Sequence, residues 1–431
     1  MESAIHKVQI ALDVSCFNFR ILNLIEVLFI VPLSYFMLKN TLWLVFIIVT
    51  VSCSKKKEVK HLSLDFRILQ SIEIPMMKKN QYSHSQIQLI DSCTFVGLDR
   101  DFQKLDIYSK CEKRLLRSIN FEGEGPNRIY PTSSFHYISN DSIFLYSSDA
   151  STFQLIDSDA QVLNEWRVFD NKYPNSISDS IIGGNGSYYP FSYTQNGIFY
   201  FPFLYDDKEG DLIVQIHPES NLSGFGDMKT QYSAPILASL NLAKRDFEQF
   251  QGSWPDNFLK EKAPYNPFIH LSLNHDGSNV LISYFNSDLI FSTKEDKFFE
   301  IPSKFFDNNY TLFSITESAD YTTEEELDAY HNDEGYVNLV YDTYKKLYYR
   351  IAKHANKKSG DESTHRMESE WSIIVFNEQF EIVGEVLMPR KKYNYLQILP
   401  TSKGLLISKE NPYSPSNKEE VYEFDLIEID L

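Results

Sequence analysis

Cys93–Ile119, CTFVGLDRDFQKLDIYSKCEKRLLRSI, can be laid beside Ser142–Val168, SIFLYSSDASTFQLIDSDAQVLNEWRV. Each holds an alternating run, a turn with Asp, the block FQKLD or FQLID, a second short polar turn and a third run. Alternation at period two marks a half-buried strand, and short strands punctuated by Asp and Ser turns read as an antiparallel meander. Phe102–Asp106 and Phe153–Asp157 are offset by 51 residues, the first sign of an internal repeat.

Looser copies follow. Asp211–Ile216 comes after the turn Asp206–Gly210, and Asp288–Phe291 after SNVLISYFNS. Trp371–Asn377 precedes EQFEIVGEVLMP, and Val421–Asp425 follows GLLISKENPYSPSNKEE. Six copies at roughly 40–60 residues plus insertions predict an all-β fold, a β-propeller of six four-stranded antiparallel meanders. An aromatic content of 15%, with 27 Tyr and 32 Phe, suits strands. Further strands are legible at Glu112–Ile119, Gln161–Val168, Lys297–Ile301 and Phe380–Leu387, but the chain stops soon after the sixth copy. Phe66–Ile74, FRILQSIEI, reads as a strand with no other partner, so it is expected to pair with Val421–Ile429 and close the circle, hiding an open edge. Leu237–Gln251 and Thr323–Lys353 read as helical insertions, the second starting at Thr322-Thr323 and carrying the acidic TTEEELDAYHNDEG. Two β-sandwich domains divided near Pro235–Pro267 are the alternative architecture.

The N-terminal region gives an address. Thr41–Val51 is apolar but about half the roughly 20 residues a membrane-spanning helix needs. Met37-Leu38-Lys39-Asn40 precedes it as a short basic start, and Val51-Ser52-Cys53 ends it with a small residue before a cysteine. This resembles a bacterial lipobox, with Thr50 where Leu is preferred, and implies acylation at Cys53. The expected organisation is an upstream over-extension of the reading frame at 1–36, a lipoprotein signal peptide at 37–53, a linker at 54–65 and the propeller at 66–431. A membrane-embedded N-terminus is the competing reading, although Asn23, Glu26 and Pro32 interrupt its first apolar segment. Surface-exported lipoproteins of this kind carry acidic residues soon after the cysteine, whereas Ser54-Lys55-Lys56-Lys57 is basic, so the resemblance implies the periplasmic face of the outer membrane over the cell surface.

The chain carries 41 Lys and Arg against 59 Asp and Glu, a net charge of −18, which removal of Met1–Ser52 leaves unchanged. Such acidity argues against nucleic acid, whose affinity comes largely from cationic side chains meeting phosphates. It also argues against broad adhesion to anionic lipid, so the membrane partner is expected to be engaged through the acyl chains. Of four cysteines, Cys93 and Cys111 remain for the oxidising envelope. The start of one strand and the end of the next antiparallel strand share a sheet edge, which brings these two within reach of a disulfide. Free buried thiols are the alternative.

The segment Phe121–Arg128, FEGEGPNR, resembles the EGPN signature of the DUF4221 family of Bacteroidetes lipoproteins, with Arg128 where the family has glycine. The resemblance implies a propeller in the cell envelope and assigns no activity. From the residues themselves, the segment is foremost a turn between blades, with Arg128 as a candidate ligand contact.

Motifs for chemistry are missing: there is no G-x-S-x-G, no H-E-x-x-H and no C-x-x-C. No cofactor and no metal site are implied, since His270 and His275 stand alone and Asp157-Ser158-Asp159 lacks the rest of a calcium loop. Tyr188–Asp207, YYPFSYTQNGIFYFPFLYDD, is aromatic enough to offer a binding surface. Tyr188, Tyr189 and Tyr193 are its expected exposed members, placed in a loop by Pro190 and the preceding GGNGS. The leading reading is a non-enzymatic envelope propeller that binds a glycan, peptide or partner protein. The alternative is an envelope enzyme with its site in the propeller channel, acting on polysaccharide or a small ester.

Overall fold

A computed structural model describes residues 62–75, 84–147, 150, 152–167, 188–190, 193–195, 198–200, 203–218, 232–256, 258, 269–273, 277–306, 332–356, 365–415, 418 and 421–431. All of them belong to one compact unit, Lys60–Leu431. The expected signal peptide and Cys53 lie outside the described residues.

The chain enters with β1 (Phe66–Pro75). Blade 1 is β2 (Gln86–Leu89), β3 (Thr94–Asp99), β4 (Lys104–Ser109) and β5 (Arg114–Asn120), paired in that order. Blade 2 repeats it with β6 (Ser134–Ser139), β7 (Ser142–Ser147), β8 (Thr152–Ile156) and β9 (Val162–Arg167). Blade 3 takes β10 (Tyr188–Pro190), β13 (Phe203–Asp206), β14 (Asp211–Pro218), β15 (Leu237–Asn241) and β16 (Asp246–Gln251), with β10 and β13 sharing the inner position beside β14; β11 (Tyr193–Gln195) and β12 (Ile198–Tyr200) form a separate hairpin. Blade 4 is β17 (Ile269–Leu273), β18 (Val280–Tyr284), β19 (Leu289–Ser292) and β20 (Lys297–Glu300). Blade 5 is β21 (Gly335–Asp342), β22 (Leu347–Lys353), β23 (Trp371–Asn377) and β24 (Ile382–Met388). Blade 6 has β25 (Ile398–Thr401), β26 (Gly404–Ser408) and β27 (Val421–Ile429), and its fourth strand is β1.

The closing strand pairs as expected, antiparallel from Phe66 opposite Ile429 to Ile74 opposite Tyr422, with one bulge between Ile68 and Gln70. Closure is also visible in the packing. Among the described residues six apolar clusters are buried, each centred on the seam of two consecutive blades, the last uniting Ile72, Ile74, Leu406 and Phe424 of blade 6 with Phe95 and Tyr108 of blade 1. A sheet packed on both sides needs strands apolar on both faces, which is why Val280–Tyr284 and Gly404–Ser408 are buried throughout. The outer strand β5 faces water and alternates instead. The ring is a six-bladed β-propeller.

Two expectations are corrected. LASLNLAKRDFEQFQ is the hairpin of β15 and β16 rather than a helix. Its Leu, Ala, Lys and Glu favour helix, but Asn241 Oδ1 accepts from the amides of Ala243 and Lys244, and Arg245 takes φ 59°, so a turn forms and blade packing decides the rest. Gly335–Lys353, within the second expected helix, is likewise the hairpin of β21 and β22, turned by Asp342 accepting from Tyr344 and Lys345. Residues 323–331 lie outside the described residues. Among the described residues the short helical turn Arg366–Glu368 lies outside both expected helices.

The repeat register also differs. β7 starts 48 residues after β3, and β8 starts 48 after β4. The 51-residue match of FQKLD to FQLID is thus three residues out of step, with Phe102-Gln103 in a turn and Phe153-Gln154 inside β8. The third copy slips by a whole strand, because Asp211–Ile216 is the second strand of its blade and the hairpin read as helix supplies the third and fourth.

Candidate functional site

Antiparallel pairing sorts the connections onto two faces. Gln86 opposes Leu98 and Lys104 opposes Asn120, so the connection from strand 2 to strand 3 and the link from strand 4 to the next blade share one face. FEGEGPNR follows β5 and lies there, so we term it the signature face. The hairpins from strand 1 to 2 and from 3 to 4 lie on the opposite face. Cys93 and Cys111 sit in those hairpins of blade 1 and are joined by a disulfide, Cα atoms 5.3 Å apart.

The signature segment is held by the blades on both sides. The Phe121 amide donates to Gln103 O at 3.0 Å, Ile129 N to Glu122 O at 2.8 Å, and Arg128 N to Gly125 O at 3.2 Å. Gly125 has φ +89°, a conformation that favours glycine. Gln154 Oε1 accepts from the Tyr130 amide at 3.0 Å, and its Nε2 donates to Arg128 O at 3.0 Å. With its backbone fixed this way, the exposed Arg128 lays its guanidinium 4.8 Å over the Tyr130 ring.

Side-chain amides also zip the inner strands together. Gln86 and Gln88 each mimic a peptide group, donating to Phe135 O (2.9 Å) and Tyr137 O (2.8 Å) and accepting from the amides of the same two residues. Asn338 Nδ2 reaches Tyr395 O at 3.1 Å, and Gln397 Nε2 reaches His84 O at 2.6 Å, which continues the pattern at the blade 5–6 and 6–1 junctions. Consecutive inner strands therefore run parallel, and all the blades so linked present the same end to the signature face.

Two further aromatic groups stand exposed on that face. Asn411, fully buried, donates to Met367 O (2.8 Å) and Tyr393 O (3.1 Å) and accepts from the Tyr413 amide (3.0 Å). This brings the 2-to-3 connections of blades 5 and 6 together, so that His365 and Tyr413 stack at 4.8 Å, with Tyr413 40% exposed. Phe102, at the tip of the blade 1 turn, is 48% exposed, with Lys104 Nζ 5.7 Å from its ring. Neither group was found in the sequence, since no local signal joins His365 to Tyr413 across 48 positions.

The expected tyrosines are placed in part. Tyr188 and Tyr189 lie on β10 opposite Pro218 and His217, at the end of β14, and so toward the signature face. Tyr193 lies on β11 opposite Tyr200. Both positions are strands rather than the loop expected from Pro190, because the apolar alternation around them finds pairing partners.

Beneath the face, at the junction of blades 6 and 1, charges are buried. The His84 ring stacks on Tyr422 at 5.2 Å, meets Tyr108 edge-on at 5.5 Å, and has Nε2 3.7 Å from Asp106 Oδ2, an ion-pair rather than a hydrogen-bond distance. Gly97 makes room for it, because a Cβ there would come within 2.4 Å of His84 Cδ2. Burial would raise the Asp106 carboxyl, but His84, Lys104 and Ser118 outweigh it and hold it at about 2. Burial raises Asp99 nearby. In blade 5, burial brings Lys353 down to about 7, and burial with the Lys353 charge brings His354 down to about 4. Among the described residues no group of three or more His, Cys, Asp or Glu side chains could hold a metal ion.

The fold thus defines a six-bladed propeller with a fixed inter-blade turn and a rim of exposed aromatics on one face. The family described as a domain of unknown function, DUF4221, matches residues 91–387, more than half of the 431, and the chain belongs to that family. The crystal structure of a DUF4221 family member from Bacteroides vulgatus superposes with a TM-score of 0.65 at 16% identity, covering 86% of this chain and 99% of that one. A Bacteroides fragilis protein superposes at 0.46 with 14% identity, covering 88% and 98% of the two chains. A PQQ-bound aldose sugar dehydrogenase from Streptomyces coelicolor does so at 0.42 with 11% identity, covering 85% and 99%. These last two likenesses are too loose to bear on function. No curated protein matches the sequence.

Proposed function

We propose that this protein is a lipid-anchored component of the cell envelope, acylated at Cys53 on the periplasmic side of the outer membrane, that binds a glycan, a peptide or a partner protein without catalysing a reaction. The supporting observation is convergence on one face: the signature segment with Arg128 over Tyr130, the His365–Tyr413 stack, Phe102, and the strand carrying Tyr188 and Tyr189. Exposed aromatic faces beside amides and charges are what a sugar or peptide surface uses, because stacking adds to the burial of ring area. The test is a screen of the full chain on a glycan array and a displayed peptide library. Tyr413→Ala and Phe102→Ala should each weaken any hit at least about tenfold, a loss of about 1.4 kcal/mol. Leu163→Ala, at an exposed site on β9, should leave it unchanged. Equal binding by all three variants would remove the signature face from consideration.

A further inference from the structure

The first described residues have a defined direction beside blade 5. The Leu64 amide donates to Glu385 O at 3.0 Å, the Glu385 amide donates to Leu62 O at 3.0 Å, and Ser63 bridges Glu385 in parallel. Residues 62–64 therefore run alongside β24 in its own direction. β24 starts at the hairpin after β23, on the disulfide face, so within this parallel pair Leu62 lies on the disulfide-face side of Leu64. The contact is specific: a Cβ on Gly384 would meet Leu64 Cγ at 2.6 Å and Leu62 O at 2.8 Å, and Lys304 Nζ donates to Ser63 Oγ at 2.9 Å.

Distance adds a second constraint, which rests on the anchor reading above. Nine steps of chain separate Cys53 from Leu62, and at about 3.3–3.6 Å per residue they span at most about 32 Å. The outer rim of blade 5 must then stay that close to the bilayer. The surface found there suits a membrane interface. Leu62 is 57% exposed, and Tyr344 in the hairpin between β21 and β22 is 51% exposed, followed by the half-buried Lys345 and the exposed Lys346. That hairpin neighbours the start of β1, since Val340 and Leu347 on its two strands pack in the same apolar cluster as Phe66. Tyrosine and lysine keep polar tips in the headgroup layer while their apolar bodies and stems lie deeper.

We propose that the disulfide face at blades 5 and 6 rests on the bilayer surface, with Leu62 and Tyr344 at headgroup level and Lys345 and Lys346 against lipid phosphates. The signature face then points away from the membrane, open to its ligand. The full chain, processed in a bacterial host, is reconstituted into phosphatidylethanolamine–phosphatidylglycerol vesicles with acyl chains brominated near the headgroup. Tyr344→Trp should add tryptophan emission that brominated lipid quenches at least about twofold, while the emission added by Phe102→Trp should not be quenched. Equal quenching of the two, or the reverse order, overturns the orientation. Mass spectrometry of the same samples separates the two claims. An unmodified Cys53 removes the anchor reading and this inference together, whereas acylated Cys53 with an unquenched Tyr344→Trp protein overturns this inference alone.

Discussion

The seam between blades 4 and 5 and the seam between blades 6 and 1 bury comparable apolar clusters but differ in what crosses them. In the first, one fully buried guanidinium does the joining. Arg350 of β22 donates to Ser283 Oγ (2.9 Å) and to the carbonyls of Asp288 (2.9 Å), Ile301 (2.7 Å) and Ser287 (2.6 Å), all in or just after blade 4. Its plane lies 3.3 Å from the Tyr336 ring centroid. In the second, the junction is largely aromatic, with His84 stacked on Tyr422 and both ring nitrogens of His84 lacking a hydrogen-bond partner among the described residues. The second seam also depends on a strand from the far end of the chain. At the 4–5 seam a directional polar hub fixes the blades, whereas at the 6–1 seam apolar area and strand pairing carry most of the closure, beside the Gln397–His84 hydrogen bond.

The largest effect is therefore expected at Arg350. Arg350→Leu removes the donor and strands several buried carbonyls, and breaking a buried polar hub costs about 3–5 kcal/mol. Chemical denaturation should show that loss in the midpoint with an unchanged slope. A loss below about 1 kcal/mol would mean that the carbonyls find other donors and that the hub is not what holds this seam.

Next is a matched pair that compares the two seams directly. Ile74 in β1 and Leu281 in β18 are both completely buried, one in each seam. Truncation to Ala should cost about 2–4 kcal/mol at each site. If the closing strand detaches before the rest unfolds, Ile74→Ala will broaden the transition, while Leu281→Ala will shift it intact. Identical, sharp transitions would show that terminal closure is as cooperative as a continuous junction.

This comparison also shows what could be read from residues alone. The closing strand was legible because FRILQSIEI alternates and had no other partner, and the propeller because six meanders recur. Arg350 was not legible, since a charged residue in a segment rich in Tyr and Lys reads as helix surface, and only the tertiary structure buries it. The 51-residue match led to the right fold through the wrong register: Asp106 of β4 is equivalent to Gln154 of β8, and both are buried polar residues serving different partners. Of the site, the signature turn and the β10 tyrosines were visible as local patterns. Phe102 and the His365–Tyr413 stack were not, because their exposure and contact arise only when connections from different blades meet.

A smaller effect is expected from the glycine under His84. Gly97→Ala puts a methyl within 2.4 Å of a ring held between Tyr422 and Tyr108, so the ring must shift. Overpacking of this kind costs about 1–3 kcal/mol. The double variant Gly97→Ala with His84→Ala should recover part of the loss, since the smaller side chain frees the space. A double variant as unstable as the sum of the two singles would show that strand strain, and not the ring, sets the cost.

The smallest effect is a pH dependence at the other buried histidine, His354, whose Nε2 meets Ser372 Oγ at 3.0 Å. Burial and the adjacent Lys353 hold it at about 4 in the folded protein, below its ordinary 6.5. The unfolded chain therefore takes up this proton at higher pH than the folded chain. The stability is fully present above pH 6.5 and is lost as pH falls from 6.5 towards 4. Between pH 7 and 5.5 the linked loss is about 1 kcal/mol. His354→Gln keeps a polar group able to reach Ser372 but cannot titrate, so its stability should fall by about 1 kcal/mol less over that interval than the parent's. Ser372 in turn donates to Glu385 Oε1 at 2.5 Å, and the Glu385 backbone pairs with residues 62–64, so this titration reports on blade 5 and its contact with residues 62–64 rather than on the His84 seam. A difference profile between parent and His354→Gln that is flat from pH 7 to 5.5 would place the acid sensitivity elsewhere in the ring.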